Sequence, residues 1–189
     1  RFYMSKLSII IPHYNSPELL LRLLDSIPQK EEIEVIVIDD RSTKKVNKLN
    51  KLIRDRAYNH IIFLKNNKNK KGAGACRNIG LERATSKWLL FADADDYFLN
   101  GFYNIVSKYF NTDNDVVFFN PTSEYLDTGE KADRHKNYRM KVLNYNKKKD
   151  LKSEIKLRYS FFVPWSKLIN RKFIEDNTIR FDEVIASND

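Results

Sequence analysis

The stretch WLLFADADD, at Trp88–Asp96, decides the fold. Its first five residues are a short, continuous apolar run, which predicts a strand buried on both faces of a sheet. Three carboxylates, those of Asp93, Asp95 and Asp96, follow directly. In open α/β sheets, ligands bind beyond the carboxyl ends of the strands. The stretch therefore predicts both a strand and a functional site at its end.

Three similar apolar runs precede this strand, and each is followed by a polar turn and a helical pattern. The runs are Leu7–Ile11, Ile33–Ile38 and His60–Leu64. Ser16 and Pro17 predict the start of the first helix, and the later helices are expected over about 44–58 and 75–85. Strands that alternate with helices indicate parallel crossovers. The predicted fold class is α/β, with a mostly parallel, Rossmann-like sheet flanked by helices.

The second half of the chain shows weaker patterns. Helical spacing is expected over Phe102–Phe110, a strand over Val116–Phe119, a turn or hairpin over Glu124–Arg134 and another helix from Asp150. The lysine-rich stretch Asn144–Lys152 is predicted to be a mobile loop. The sequence contains no internal repeat or change of composition, so residues 1–189 are expected to form one domain.

Composition limits the environment and the partners. The 34 Lys and Arg residues outnumber the 25 Asp and Glu residues, which gives a net charge of +9. This charge favours nucleotides, phospholipid headgroups, lipid-linked phosphates or nucleic acid as partners, or it reflects a lysine-rich surface without a specific partner. Cys76 is the only cysteine, as expected in a reducing compartment. No apolar run approaches the roughly 18 residues that span a bilayer, so a cytoplasmic location is predicted.

The acidic residues at the strand ends are the candidate metal ligands. Three carboxylates at Asp93, Asp95 and Asp96 repel one another unless a cation or ordered donors compensate them. Their hard oxygen atoms suit Mg²⁺ or Mn²⁺. The alternative is a solvated acidic turn that caps the helix beginning near Phe98. Asp39-Asp40 ends another strand and could bind a base or ribose, or could serve as a helix cap.

A glycine-bearing loop, Lys71–Asn78, leads into a predicted helix. Backbone N–H groups and Arg77 could contact a diphosphate there, although the loop matches neither the P-loop nor the dinucleotide-binding pattern. A flexible turn is the simpler interpretation. None of the three histidines has a second ligand at zinc spacing, and Cys76 has the context of a small buried residue.

Taken in order, four strings of this chain resemble those of family 2 glycosyltransferases. The strings are SIIIPHYN at Ser8–Asn15, VIVIDDRST at Val35–Thr43, ACRNIG at Ala75–Gly80 and FADADD at Phe91–Asp96. Later segments are also similar to the end of that family's catalytic domain. They are Pro164–Leu168, Ile179–Glu183 and Asn188-Asp189.

The resemblance implies a GT-A fold and an inverting transfer of a sugar from a nucleotide-sugar donor, with a UDP-sugar favoured, to a saccharide or lipid-linked acceptor. It assigns residues 1–120 to the nucleotide-sugar-binding half and 121–189 to the acceptor side. By position, Arg77 would face the base or diphosphate, and Asp93, Asp95 and Asp96 would hold ribose and Mn²⁺ or Mg²⁺. The nucleoside pocket would be lined by Pro12, Tyr14, Asn15 and Asp40.

The resemblance also implies a catalytic base. The family has a carboxylate near the end of its catalytic domain that takes the proton of the acceptor hydroxyl, and Asp189 matches this position. Because Asp189 is the last residue, the sequence is expected to be a truncated piece of a longer protein. An acceptor at the inner membrane face is a further hypothesis, based on the basic surface.

Two other functions remain open at the level of the sequence. Acids at two strand ends are also found in phosphoacceptor receiver domains and in non-catalytic nucleotide-binding domains. A basic surface with interleaved aromatic residues could bind nucleic acid. The acidic crevice argues against nucleic acid, which we do not expect as a partner.

Overall fold

The four apolar runs form adjacent parallel strands of one sheet. The computed structural model describes residues 5–55 and 61–185. The strands are β1 (Leu7–His13), β2 (Ile33–Asp39), β3 (Ile61–Lys65) and β4 (Trp88–Phe91). The sheet also contains β5 (Val116–Phe118) and β6 (Lys167–Asn170). The predicted first residue of β3, His60, and the predicted helix end, Tyr58, lie outside the described residues.

The six strands have the order β3-β2-β1-β4-β6-β5. Strand β6 is antiparallel to both of its neighbours, while β1 is parallel to β2 and β4. The chain therefore builds outward from β1 to β3 and then returns to add β4 on the other side of β1. This reversal of strand order opens a crevice at the carboxyl ends of β1 and β4, where ligands bind in α/β sheets.

Helices cover both faces of the sheet. They are α1 (Pro17–Asp25), α2 (Val46–Asp55), α3 (Ala73–Arg83), α4 (Phe102–Val106) and α7 (Arg171–Asp176). Side chains alternate along β1, so Ile9 and Ile11 pack with α1 and α2 while Ile10 packs with α3. A Cβ at Gly80 would lie 2.3 Å from Ile10 Cγ2, so this glycine allows α3 to approach the sheet closely.

The fold confirms the predicted α/β class and its mostly parallel sheet. The predicted pattern over Phe102–Phe110 forms α4 and a short 3₁₀ helix at Ser107–Tyr109, and the predicted hairpin contains a bridge between Glu124 and Lys131. Strand β6 and helix α7 were not predicted. Among residues 5–55 and 61–185, none of the helices has the length and apolar character needed to cross a bilayer.

One prediction about the lysine-rich stretch is wrong. Most of Asn144–Lys152 is helical, because α5 (Lys136–Lys148) extends into it and α6 (Leu151–Ser160) begins before its end. Asp150 caps α6, since its side chain accepts a hydrogen bond from the backbone N–H of Ser153 at 2.7 Å. The two helices pack around Tyr138, Val142, Leu157 and Phe161 in a small core of their own.

Candidate functional site

The loop after β1 is held by the loop after β2. Asn15 adopts a left-handed conformation with φ of 55°, and its side-chain oxygen accepts hydrogen bonds from the backbone N–H groups of Thr43 and Lys44, both at 2.8 Å. Its own N–H donates to the hydroxyl of Ser42 at 2.8 Å. Asn15 therefore joins the two loops that line one side of the crevice.

The buried side chain of His13 stabilises both of these loops. The backbone N–H of Ser16 donates to His13 Nε2 at 3.2 Å, so the proton of the ring lies on Nδ1 and points to Asp39 Oδ1 at 2.9 Å. Asp39 also accepts from the hydroxyl and the N–H of Ser42. Burial raises the pKa of Asp39, but the bonds from His13 and Ser42 outweigh it, and the net pKa is lowered.

Asp40 holds the start of α3. Its carboxylate is buried, and its two oxygen atoms accept from Asn66 Nδ2 at 2.7 Å and from the backbone N–H of Gly72 at 2.8 Å. The glycine-bearing loop is thus tied to the end of β2. Burial, followed by the charges of Asp40 and Asp39, raises the pKa of the Cys76 thiol to about 12, which agrees with a small buried residue that is not a nucleophile.

Arg77 brings a buried positive charge to the crevice. Its guanidinium donates to Asp93 Oδ1 at 2.8 Å and lies 5.2 Å from the centroid of the Phe181 ring. Arg77 is almost fully buried, whereas the Asp93 side chain is 34% exposed. An arginine held in this way is preorganised to meet a second anion at the crevice, because guanidinium groups bind carboxylate and phosphate oxygens in the same geometry.

The acidic turn after β4 is held in place by hydrogen bonds to α1 and to the hairpin. The guanidinium of Arg22, from α1, donates to the backbone oxygen of Asp95 at 2.5 Å, and Tyr97 donates its hydroxyl hydrogen to Glu124 at 2.8 Å. The turn is therefore anchored both to α1 and to the hairpin over 124–134. These contacts leave the side chains of Asp95 and Asp96 exposed at the crevice.

The Asp96 carboxyl of the acidic turn has a strongly raised pKa. Desolvation of this carboxyl, followed by the negative charges of Asp93 and Asp95, raises its pKa to about 7, although Arg134 acts in the opposite direction. Although the residue as a whole is exposed, desolvation of its carboxyl group and the two neighbouring carboxylates both disfavour the charged form. A cation at this point would relieve the repulsion.

The carboxylates of the acidic turn suit a divalent ion that is also coordinated by water or phosphate oxygens. Within the part of the chain that the structure describes, no three His, Cys, Asp or Glu side chains converge to hold a metal by themselves. Mg²⁺ commonly takes only one or two carboxylates and completes its shell with water and phosphate oxygens. Asp95 and Asp96 fit that requirement, while Asp93 is engaged by Arg77.

The segment before the C-terminus returns to the crevice. Asn78 is buried on α3 and forms hydrogen bonds with both backbone groups of Phe181, each at 2.9 Å, and with Glu183 at 3.1 Å. A Cβ at Gly72 would lie 2.3 Å from the backbone oxygen of Val184. Residues 181–185 therefore cross the start of α3. The predicted base, Asp189, and its neighbour Asn188 lie outside the described residues.

The structure brings most of the predicted residues to one edge of the sheet. Pro12 pairs with Ile38 near the end of β1, and the exposed ring of Tyr14 lies 5.7 Å from Lys71 Nζ. Four further residues hold the loops in place through their polar groups but were not predicted as part of the site: His13, Arg22, Asn66 and Asn78. Asn78 had a usable signal, because it directly follows Arg77 inside one of the four strings.

The sequence matches a known protein family. The family model described as glycosyl transferase family 2 matches residues 8–178. The chain belongs to glycosyl transferase family 2. The poly(ribitol-phosphate) beta-glucosyltransferase of Bacillus spizizenii is 37% identical over 97 residues, which are 49% of this chain and 15% of that protein. The poly(ribitol-phosphate) beta-N-acetylglucosaminyltransferase TarS of Staphylococcus aureus is 36% identical over 98 residues, 50% of this chain and 17% of TarS.

Solved structures of similar proteins confirm the GT-A type of fold. TarS residues 1–349 in complex with UDP-GlcNAc superpose with a TM-score of 0.73 and 25% identity, over 97% of this chain and 51% of that one. The mannosyltransferase PcManGT of Pyrobaculum calidifontis, solved with GDP-Man and Mn²⁺, has a TM-score of 0.64 and 17% identity, over 100% of this chain and 50% of that one. The chain thus spans about half the length of these structures and a smaller part of the curated relatives.

Proposed function

We propose that this chain binds a nucleotide-sugar donor, with a UDP-sugar favoured, and transfers the sugar to a hydroxyl of a saccharide or lipid-linked acceptor. The proposal rests on the positions of three groups at the reversal point of the sheet. The Asn15 loop follows β1, the acidic turn with Asp95 and Asp96 follows β4, and Arg77 is bound to Asp93 of that turn. UDP is favoured because TarS was solved with UDP-GlcNAc. A polymeric acceptor with many hydroxyl groups is favoured by the names of the relatives.

The residues have distinct roles in this proposal. The base and ribose lie between the two loops joined by Asn15, in a pocket whose other members are Pro12, Tyr14 and Asp40. Asp40 contributes by fixing Gly72 and the start of α3. Asp95 reaches the ribose or the metal. Arg77 faces the diphosphate, and its bond to Asp93 keeps the guanidinium oriented before the donor arrives.

Asp95 and Asp96 would hold Mn²⁺ or Mg²⁺, with Asp93 as the third residue of the acidic string. When bound, such an ion neutralises the developing charge on the departing nucleotide diphosphate. The two carboxylates would hold the ion, and Arg77 supplies a positive charge from the protein. Asp189 takes the proton of the acceptor hydroxyl, whose oxygen forms the new bond to the anomeric carbon while the bond from that carbon to the diphosphate oxygen breaks. Because attack comes from the face opposite the departing diphosphate, this single displacement inverts the configuration of the anomeric carbon.

The family and the fold favour this function over a receiver domain. Receiver domains have a parallel sheet with the order 2-1-3-4-5, whereas this sheet has the order β3-β2-β1-β4-β6-β5 with an antiparallel strand. We place residues 1–120 on the donor side and 121–189 on the acceptor side of the site. The cytoplasmic face of the membrane is the proposed location, where a lipid-linked acceptor would be reachable.

The proposal is tested by calorimetric titration of UDP, GDP and their sugar conjugates into the full-length protein, with Mn²⁺ and again with a chelator. We expect one nucleotide to bind only with metal, and Asp96→Ala to weaken binding by more than about tenfold. Asp113→Ala is the matched control, because Asp113 is exposed before β5 at the opposite edge of the sheet. Asp189→Asn should keep donor binding and abolish transfer. If the affinity for the nucleotide is the same with metal, with chelator and in Asp96→Ala, the metal assignment is refuted.

A further inference from the structure

The helical hairpin formed by α5 and α6 has an apolar stripe that faces solvent. Leu151, Ile155 and Tyr159 follow one another at intervals of four residues, so they project from one side of α6. Their exposed fractions are 71%, 47% and 80%, and Phe162, just after the helix, is 65% exposed. Large apolar side chains with this exposure usually mark an interaction surface when they lie together.

This stripe is separate from the side of α6 that stabilises the fold. Ser153 and Leu157 lie on the opposite side of the helix and are buried. Leu157 packs in the small core with Phe161 and Val142. An ordinary surface helix has a single apolar stripe directed to the core. Leu151, Ile155 and Tyr159 of the second stripe are therefore not members of this small core, while the exposed ring of Phe162 contacts Tyr138 at its edge, with 5.8 Å between the ring centroids.

The hairpin that carries the stripe is rich in positive charge. Residues 136–160 contain nine Lys and Arg residues but only two acids, Asp150 and Glu154. Asp150 is used as the cap of α6, and Glu154 pairs with Arg158. The hairpin thus carries most of the net charge of +9 of the whole chain, concentrated on two helices.

Two of these lysines, Lys141 of α5 and Lys156 of α6, are close enough for their charges to repel each other. Burial, followed by the nearby charge of Lys156, lowers the pKa of Lys141. Lys141 Nζ also lies 5.1 Å from the centroid of the Tyr138 ring and donates to Asn137 Oδ1 at 3.0 Å. Like charges held side by side are relieved by an external anion, so this part of the hairpin is suited to bind phosphate groups.

We propose that the α5–α6 hairpin docks on an anionic phospholipid surface, with the lysines contacting lipid phosphates and Leu151, Ile155, Tyr159 and Phe162 entering the headgroup region. Exposed apolar side chains next to lysines are the combination by which helices bind at a membrane interface, and each basic residue adds to the attraction of an anionic leaflet. An anionic polymer or nucleic acid would satisfy the lysines but leave the apolar stripe in water. The proposal concerns the hairpin alone and does not depend on the donor site.

The test is sedimentation of the full-length protein with vesicles of phosphatidylcholine, with and without about one third phosphatidylglycerol, at physiological salt. We expect binding only to the anionic vesicles. Lys152→Glu with Lys156→Glu should weaken the partition about 25-fold or more, since each basic residue contributes about fivefold. Leu151→Ser with Tyr159→Ser should weaken it about tenfold or more, because both side chains leave water on docking.

Matched controls place the same chemical changes elsewhere. Lys51→Glu with Arg54→Glu makes the same charge change on the exposed side of α2, and Ile105→Ser removes a half-exposed apolar side chain from α4. Both control variants should bind vesicles more strongly than the hairpin variants. Donor binding should be unchanged in the control variants and in the hairpin variants. Circular dichroism melts verify that all variants are folded.

Three outcomes would overturn the proposal. Wild-type protein that stays in the supernatant with anionic vesicles would mean that the stripe is covered by another part of the protein or by a partner. Loss of binding in the lysine variant with full binding in the apolar variant would indicate an anionic polymer surface. Equal losses in the hairpin variants and their controls would indicate attraction by net charge alone.

Discussion

Gly72→Ala tests whether the segment over residues 181–185 is pressed against the start of α3. Gly72 has φ of 111° and ψ of 163°, a region that is essentially restricted to glycine. An added Cβ would lie 2.3 Å from the backbone oxygen of Val184 and 3.2 Å from its carbonyl carbon. The obstacle is backbone, so it cannot be avoided by rotating a side chain.

The magnitude follows from comparison with Gly101→Ala. Gly101 also has a positive φ, 82°, but a Cβ there meets nothing within 4 Å. Gly101→Ala should therefore cost only the backbone strain, about 1–2 kcal/mol. Gly72→Ala adds the displacement of a packed segment and a more restricted backbone conformation, so its free energy of unfolding should fall by roughly 1–3 kcal/mol more. Part of that extra loss comes from the hydrogen bonds between Asn78 and Phe181, which hold the displaced segment.

Urea unfolding of both variants measures the difference, and calorimetry and a sugar-transfer assay measure its effect on function. We expect transfer to fall more than donor affinity in Gly72→Ala, because Val184 leads toward the proposed base Asp189. Equal unfolding free energies for Gly72→Ala and Gly101→Ala would refute the packing of this segment on α3. A larger loss in donor affinity than in transfer would refute its assignment to the acceptor side.

Two further predictions concern the charged residues of the crevice. Arg77→Lys keeps the positive charge but loses the planar guanidinium group that binds Asp93, so the affinity for the donor should fall. The free energy of unfolding should also fall, by about 1–3 kcal/mol. Arg83→Lys, on the exposed side of α3, is the control and should change neither quantity. Without divalent metal, Asp96→Asn should melt at the wild-type temperature at pH 4 and a few degrees higher at pH 8. The reason is that Asp96 has a pKa of about 7 in the folded chain and about 3.9 when unfolded, so the folded state binds more protons between these values and wild-type stability falls as pH rises through that window. A melting difference that is constant with pH would contradict the pKa assignment.

The strands and the first helices were predictable because their signals are local. β1, β2 and β4 are continuous apolar runs that are buried on both faces, and Pro17 begins α1 as the sequence indicates. The lysine-rich end of α5 was not predictable in the same way. Its helix is stabilised by contacts of Tyr138 and Val142 with residues of α6 and beyond, and a count of lysines does not report such contacts.

The sequence by itself determined where the strands lie and that acids follow two of them, because burial pattern and chain order are properties of neighbouring residues. Only the tertiary structure decided what each polar group does. Asp40 binds the backbone of Gly72, 32 residues away, Arg77 binds Asp93, 16 residues away, and Asn78 binds Phe181, 103 residues away. Such partners are chosen by the order of the strands and the path of the loops, since a buried polar group must pair with whatever donor or acceptor the fold brings within reach.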